Sequence, residues 1–177
     1  GGVSTTMTVT SNGMALAAPL LAPQGIEVLD SGAIVISETG NHVIHYLTPG
    51  GNITNTVGSY GVTNRTLGGS TVASFSSPTK IGKAGDNVLV VADTQNHAIR
   101  VVRRVGQVWA VDTLAGNGEP GYSDGVAMGA QFHEPWGIVV DPQGGWVFVT
   151  DSDNHVLRRV HSTTGEVTTL AGTRLGA

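Results

Sequence analysis

A chain of 177 residues is long enough to bury a core, but 26 Gly and only 12% charged residues are poor material for long solvated helices. The absence of Cys excludes disulfides, thiolate catalysis and cysteine-ligated zinc. The net charge of -4, with no Lys or Arg before Arg65, argues against a surface built to grip phosphate backbones.

The chain starts Gly1-Gly2 without a Met, as expected of a processed or excised chain. Met7-Thr8-Val9-Thr10 before Gly13 predicts one orphan outer strand over residues 5–12. A first unit follows over residues 14–58. It runs from Pro23-Gln24-Gly25-Ile26 through Ala33 to Glu38, then Asn41-His42-Val43-Ile44, and ends at Thr56-Val57-Gly58. Two N-glycosylation patterns, Asn52-Ile53-Thr54 and Asn64-Arg65-Thr66, permit a secreted location without establishing one, and the localisation stays unknown. A second unit, residues 75–116, carries Pro78, the run Val88 to Asp93, Asn96-His97 and Thr113-Leu114-Ala115-Gly116. A third, residues 132–172, carries Pro135, Trp146 to Asp151, Asn154-His155 and Thr169-Leu170-Ala171-Gly172.

Asn-His thus recurs at spacings of 55 and 58 residues, each time at the same place in a β-rich unit. Each unit reads as four short strands with turn-formers between them, such as Asp141-Pro142-Gln143-Gly144 and Thr48-Pro49-Gly50-Gly51. No stretch has the length and period of a helix, and no apolar run reaches the roughly 20 residues of a membrane span, so no membrane insertion is expected of this segment. The fold class is all-β, and radial repetition of four-stranded antiparallel units makes a β-propeller. Residues 1–177 are read as one partial propeller domain. Three blades do not close a ring, because propellers have 4–8. The chain is therefore expected to be part of a longer propeller, with a homodimer that completes the ring as the second arrangement.

These residues resemble the NHL-repeat β-propeller family. The resemblance covers nearly the whole chain and is densest from Gly121-Tyr122-Ser123-Asp124-Gly125 through Phe132, Pro135, Gly137, Asp151, Asn154-His155 and Gly172. Val43, Ala98 and Val156 stand where the family signature has Leu, Glu38 stands for Asp93 and Asp151, and Lys80 for Gly25 and Gly137. The resemblance implies a propeller, commonly six-bladed, with a binding role. It also implies two alternatives. One branch consists of amidating lyases, with a metal held by His near the axis. Another binds RNA through a basic face.

What recurs is read as scaffold: Glu38, Asn41 and His42; Asp93, Asn96 and His97; Asp151, Asn154 and His155. The acids are expected to accept backbone N–H groups in the turn between second and third strands, with Asn in the left-handed region. The His is expected to bond a neighbouring strand or blade. The three His do not converge on one metal, because adjacent sheets lie ~10 Å apart. His45 and His161 are read as surface or interblade groups. Arg100, Arg103, Arg104, Arg158 and Arg159 are read as strand positions that alternate between solvent and nearby acids.

What varies between units is left for function. His133 corresponds to Ser76 and Leu21, Glu134 to Ser77 and Ala22, and Trp136 to Thr79 and Gln24. These positions are expected near the channel mouth. The interblade connectors, residues 59–74 and 117–134, should share the side of the Asn-His turns, and long loops on a rigid frame carry binding. The predicted contact residues are Lys80, Tyr122, Asp124, His133, Glu134 and Trp136. A protein partner is expected and nucleic acid is not. No cofactor, metal site or catalytic residue is predicted. The lyase alternative would rest on His133 alone. Gly121-Tyr122-Ser123-Asp124-Gly125 matches the nucleophile-elbow pattern but lies between β units, without the helix that motif needs. Asp151-Ser152-Asp153-Asn154 lacks the Gly and distal Glu of a calcium loop.

Overall fold

The computed structural model describes residues 19–63, 74–85, 87–106 and 108–173. The orphan strand expected at 5–12 and most of the first connector lie outside the described residues. Sheet one is β1 (Pro23–Val28), β2 (Ile34–Glu38), β3 (Val43–Leu47) and β4 (Ile53–Val57), antiparallel and in chain order. Sheet two repeats this with β5 (Pro78–Gly85), β6 (Val88–Asp93), β7 (Ala98–Val105) and β8 (Val108–Ala115). A two-residue strand β9 (Gly125–Val126) precedes sheet three, which is β10 (Pro135–Val140), β11 (Trp146–Asp151), β12 (Val156–His161) and β13 (Glu166–Ala171).

Sheet three departs from the four-strand expectation. β9 pairs with its outer strand β13, Val126 opposite Glu166 and Gly125 opposite Val167, and makes a fifth strand. The connector 117–134 is therefore not a free loop. Ala127 N–H donates to Gly165 O, and Gly116 N–H donates to Ala127 O, so it is pinned to both flanking sheets.

The core lies in two seams, and the pleat explains the sequence that fills them. Along β6, Leu89 and Val91 point into the cluster shared with sheet one, while Val90 and Ala92 point into the cluster shared with sheet three. A strand buried on both faces reads as an unbroken apolar run, and Val88-Leu89-Val90-Val91-Ala92 is one. The first seam packs Ala33, Val35, Ile44 and Val57 against Ile81, Leu89, Val91 and Val102. The second packs Val90, Ile99 and Val101 against Ile138, Val147 and Val160. Each fully buried Val, Leu or Ile contributes about 1.5–3 kcal/mol.

Close approach of the innermost strands needs a missing side chain at Gly25. A Cβ there would meet Thr79 O at 2.2 Å and Ser37 Oγ at 2.5 Å. The glycine after each fourth strand has its own reason. Gly58, Gly116 and Gly172 have φ of 107°, 100° and 90°, and each lies against the carbonyl oxygen of its sheet's recurring His. Among the described residues, no helix is long and apolar enough to cross a membrane.

Candidate functional site

Each second strand ends in an acid, then a three-residue 3-10 turn, then the His. The turns are Thr39–Asn41, Thr94–Asn96 and Ser152–Asn154. His N–H closes each turn onto the carbonyl three residues earlier, so the His takes the left-handed backbone. His42, His97 and His155 have φ of 61°, 49° and 59°. This corrects the expectation that Asn would adopt that conformation. Asn41, Asn96 and Asn154 instead donate their side-chain amides to the acid, at 2.6 Å to Glu38, 2.9 Å to Asp93 and 2.8 Å to Asp151.

The acid also differs from expectation. It accepts a backbone N–H from the segment before its own sheet's first strand, not from the turn. Leu21 donates to Glu38, Ser76 to Asp93 and His133 to Asp151, each at 2.7 Å. The acid thus ties the entry of a unit to its middle. The residue after those donors is held at positive φ: Ala22 at 48°, Ser77 at 52° and Glu134 at 50°. In that conformation its N–H faces the preceding sheet. Ser77 N–H donates to His42 Nδ1 at 2.9 Å, and Glu134 N–H donates to His97 Nδ1 at 3.2 Å. Burial lowers the His42 pKa, which favours the neutral ring whose Nδ1 can accept. Thr39 Oγ1 and Thr94 Oγ1 add a second bond across each seam, to Pro78 O and Pro135 O.

Seven residues after each acid stands a base, a pairing the sequence reading missed. Asp93 pairs with Arg100 at 3.2 Å, Asp151 with Arg158 at 2.7 Å and Glu38 with His45 at 2.6 Å. Arg100 and Arg158 are fully buried, so they are not surface arginines, and His45 is buried rather than at the surface. Burial pushes the Asp93 carboxyl up to about 6, against the opposing effects of Arg100, Asn96 and the Ser76 N–H. Burial likewise lowers Arg100 and raises Asp151. Such pairs fix geometry more than they add stability. Of the other arginines, Arg103 faces Asp112 at the surface, Arg104 lies over Tyr46 and Trp109, and Arg159 stacks on Trp146 at 4.1 Å. His161 meets the same Trp146 edge-on.

The six predicted contact residues divide into two groups. Tyr122 and Asp124 belong to the surroundings of Arg158. The Tyr122 ring lies 5.2 Å from the guanidinium carbon, and Asp124 accepts from Arg158 Nη2 at 2.8 Å and from the Thr169 N–H and hydroxyl. Burial raises the Asp124 pKa, but Thr169 and Arg158 outweigh it and the net direction is down. The other group sits at the entry to sheet three and is open to solvent. His133 is half-exposed, with Nε2 3.6 Å from Asp153 and its ring against His97. Glu134 is half-exposed beside it, and Trp136 is 46% exposed. Lys80 is half-buried on β5. Asn154 Nδ2 donates to Gly121 O, and Gly61 N–H donates to Asn41 O, so the Asn-His turns and the connectors do lie together. Among the described residues, no group of three His, Asp or Glu is arranged to hold a metal.

The fold and the recurring acid, Asn and His define a repeat protein with a propeller-like, all-β fold. Residues 132–159 match the NHL repeat family model. Bovine (Bos taurus) NHL repeat-containing protein 2 is 34% identical over 86 residues, 49% of this chain and 11% of that protein. Suppressor of Quenching 1, chloroplastic, of Arabidopsis thaliana is 36% identical over 83 residues, 47% of this chain and 8% of that protein. With the internal repeat, these matches show that the chain is similar to the NHL-repeat proteins. It spans about a tenth of the length of these relatives. Among solved structures, an auxiliary nutrient-binding protein from Bacteroides ovatus matches with TM-score 0.66 and 18% identity, over 88% of this chain and 37% of that one. A chain of a nidogen/laminin complex matches with TM-score 0.62 and 18% identity, over 86% and 49%. Virginiamycin B lyase from Staphylococcus aureus matches with TM-score 0.56 and 19% identity, over 87% and 42%. At these identities the likeness is one of fold.

Proposed function

We propose that the chain is a rigid binding scaffold for a protein partner, built as part of a six-bladed NHL-type propeller. The blades are residues 14–58, 75–116 and 132–172 of a single partial domain, and contact is made on the side of the Asn-His turns. One observation carries this reading. His133 and Glu134 present half-exposed side chains and Trp136 an exposed one, from a backbone that Asp151 and His97 hold by hydrogen bonds on both sides. An exposed Trp on a fixed frame costs little entropy to bury, and Trp is a preferred interface anchor. The NHL repeat itself supports a scaffold role, and one fold neighbour is a chain of a protein–protein complex. Tyr122 and Asp124 are reassigned as supports of this surface, because Arg158 holds them. The lyase neighbours share the fold and bring no reaction to this chain.

The test is capture of a partner by immobilised chain, comparing wild type with Trp136→Ala and with His133→Ala. The expected result is loss of capture with an unchanged melting temperature. Full capture by both variants would refute the site. A lowered melting temperature for Trp136→Ala would make that residue core.

A further inference from the structure

Basic side chains are not shared evenly between the two sides of the sheets. Lys83, Arg103 and Arg104 stand near the ends of β5 and β7 that lie away from the Asn-His turns. On the turn side, the described parts of the turns and connectors hold Glu119, Asp124, Glu134 and Asp153 and no Lys or Arg. Lys80 is set two residues into β5. The acids also differ in how far they are satisfied. Glu27, Asp30, Asp112, Asp124 and Asp141 are all open to solvent in part, and each accepts a hydrogen bond from this chain. The Glu134 and Asp153 carboxylates accept none among the described residues. Asp153 meets His133 Nε2 at 3.6 Å, which is beyond hydrogen-bond length. Glu166 accepts none either, but it stands at the start of β13, on the far side.

Two backbone bonds bring these acids together. Asp153 N–H donates to His133 O at 3.1 Å, and Ser152 N–H donates to Glu134 O at 3.4 Å. Both stand on a fixed frame, Asp153 in the middle of the 3-10 turn Ser152–Asn154 and Glu134 with its N–H on His97 Nδ1. Sheet two builds the same frame without charge. Its Gln95 N–H donates to Ser76 O, and Ser77 and Gln95 stand where Glu134 and Asp153 stand. In sheet one those places hold Ala22 and Gly40. The frame does not need the two carboxylates, and they occur together in one unit of the three.

We infer that the protein partner presents a basic segment to this side, with one arginine or lysine side chain seated between the Glu134 and Asp153 carboxylates. This rests on the contact side proposed above and adds the chemistry of what it takes. A guanidinium offers five N–H donors in a planar fork and an ammonium offers three, so either fills acceptors on both acids. The bonds are charge-assisted on both sides. No basic side chain of the described turns and connectors opposes the incoming charge, and the acids speed its arrival. An acidic segment meets like charge there and brings no donor.

The test is a titration of the isotope-labelled 177-residue chain with two short peptides, one of alternating Gly and Arg and one of alternating Gly and Glu, read from amide chemical shifts. The Arg peptide is expected to shift the His133, Glu134 and Asp153 amides in a saturable way that weakens as salt is added. The Glu peptide is expected to leave them in place. Glu134→Gln and Asp153→Asn should each raise the Kd of the Arg peptide roughly three- to fivefold, and together remove saturable binding. Both positions are neutral in the other two sheets, so the variants should keep the wild-type melting temperature. Equal shifts from the two peptides, or none from either, overturn the inference. Shifts that survive in the double variant, or that appear only around Asp30 and Asp141, overturn it too. The capture assay separates this inference from the site it rests on. Capture that Trp136→Ala abolishes, but that salt and the double variant leave unchanged, keeps the site and overturns the basic partner. An Arg peptide that binds at Glu134 and Asp153 while Trp136→Ala and His133→Ala capture in full keeps the charge reading and refutes the site.

Discussion

Arg100→Met tests the buried pairs most severely. Asp93 and Arg100 are both 0% exposed, and Arg100 Nη1 lies 3.2 Å from the carboxylate. Removing the guanidinium leaves Asp93 with the Ser76 N–H and the Asn96 amide but no counter-charge. Breaking a buried pair from one side costs about 3–5 kcal/mol. The pH dependence gives a second reading of the same group. Burial raises the Asp93 carboxyl from its ordinary 3.8 to about 6, so between those values the folded state holds a proton that the unfolded state has released. Its contribution is therefore fully present below the unfolded value and is lost as pH rises through about 6, a change of about 3 kcal/mol. Without Arg100 the window extends upward, so the variant should regain stability on going from pH 7 to pH 5 by more than the wild type does. Urea unfolding at both pH values measures this. Asp93→Asn added to Arg100→Met removes the stranded charge and should be more stable than the single variant. A loss below about 1 kcal/mol at pH 7, the worth of a surface pair, would refute the reasoning.

Gly25→Ala drives a Cβ into Thr79 O, and should cost at least the roughly 1–3 kcal/mol of an overpacked core in thermal or urea unfolding. His42 accepts the Ser77 N–H only when neutral, and its pKa is lowered from 6.5 by burial. Stability from this group is present above 6.5 and is lost as pH falls through the lowered value; His42→Asn should flatten that dependence in a pH series of melting curves. Asp124 is held below its usual range by Thr169 and Arg158, so its contribution is lost only as pH falls below the ordinary carboxylate range. Asp124→Asn should speed amide exchange in the connector 117–134 and leave exchange at the first seam unchanged; equal exchange in the connector would show that Asp124 does not anchor it.

The repeat was legible because strand period and turn residues are local. Pro, the apolar run, Asn-His and the closing Gly mark each unit at the same offsets. The buried pairs were legible in principle, since Glu38 and His45, Asp93 and Arg100, and Asp151 and Arg158 all stand seven apart. They were misread because a charged residue on a strand is usually at the surface, and only the register of β7 on β6 shows Arg100 pointing inward. The left-handed residue was placed on Asn because Asn tolerates that region best. The 3-10 turn ends one residue later and gives the conformation to His. β9 was not legible at all. Two residues carry no period, and Gly125–Val126 is a strand only because Glu166 and Val167 lie beside it. His133, Glu134 and Trp136 stand out in the sequence because the units differ there, and that difference is local.

One linkage joins the sheets at both seams, a histidine of the earlier sheet receiving a backbone N–H of the later one. Through-hydrogen-bond nitrogen–nitrogen coupling in an isotope-labelled sample observes it directly. Couplings from the Ser77 amide to His42 Nδ1 and from the Glu134 amide to His97 Nδ1 are expected, with both rings protonated on Nε2. Rings protonated on Nδ1, with neither coupling present, would contradict the shared geometry from which scaffold and contact residues were told apart.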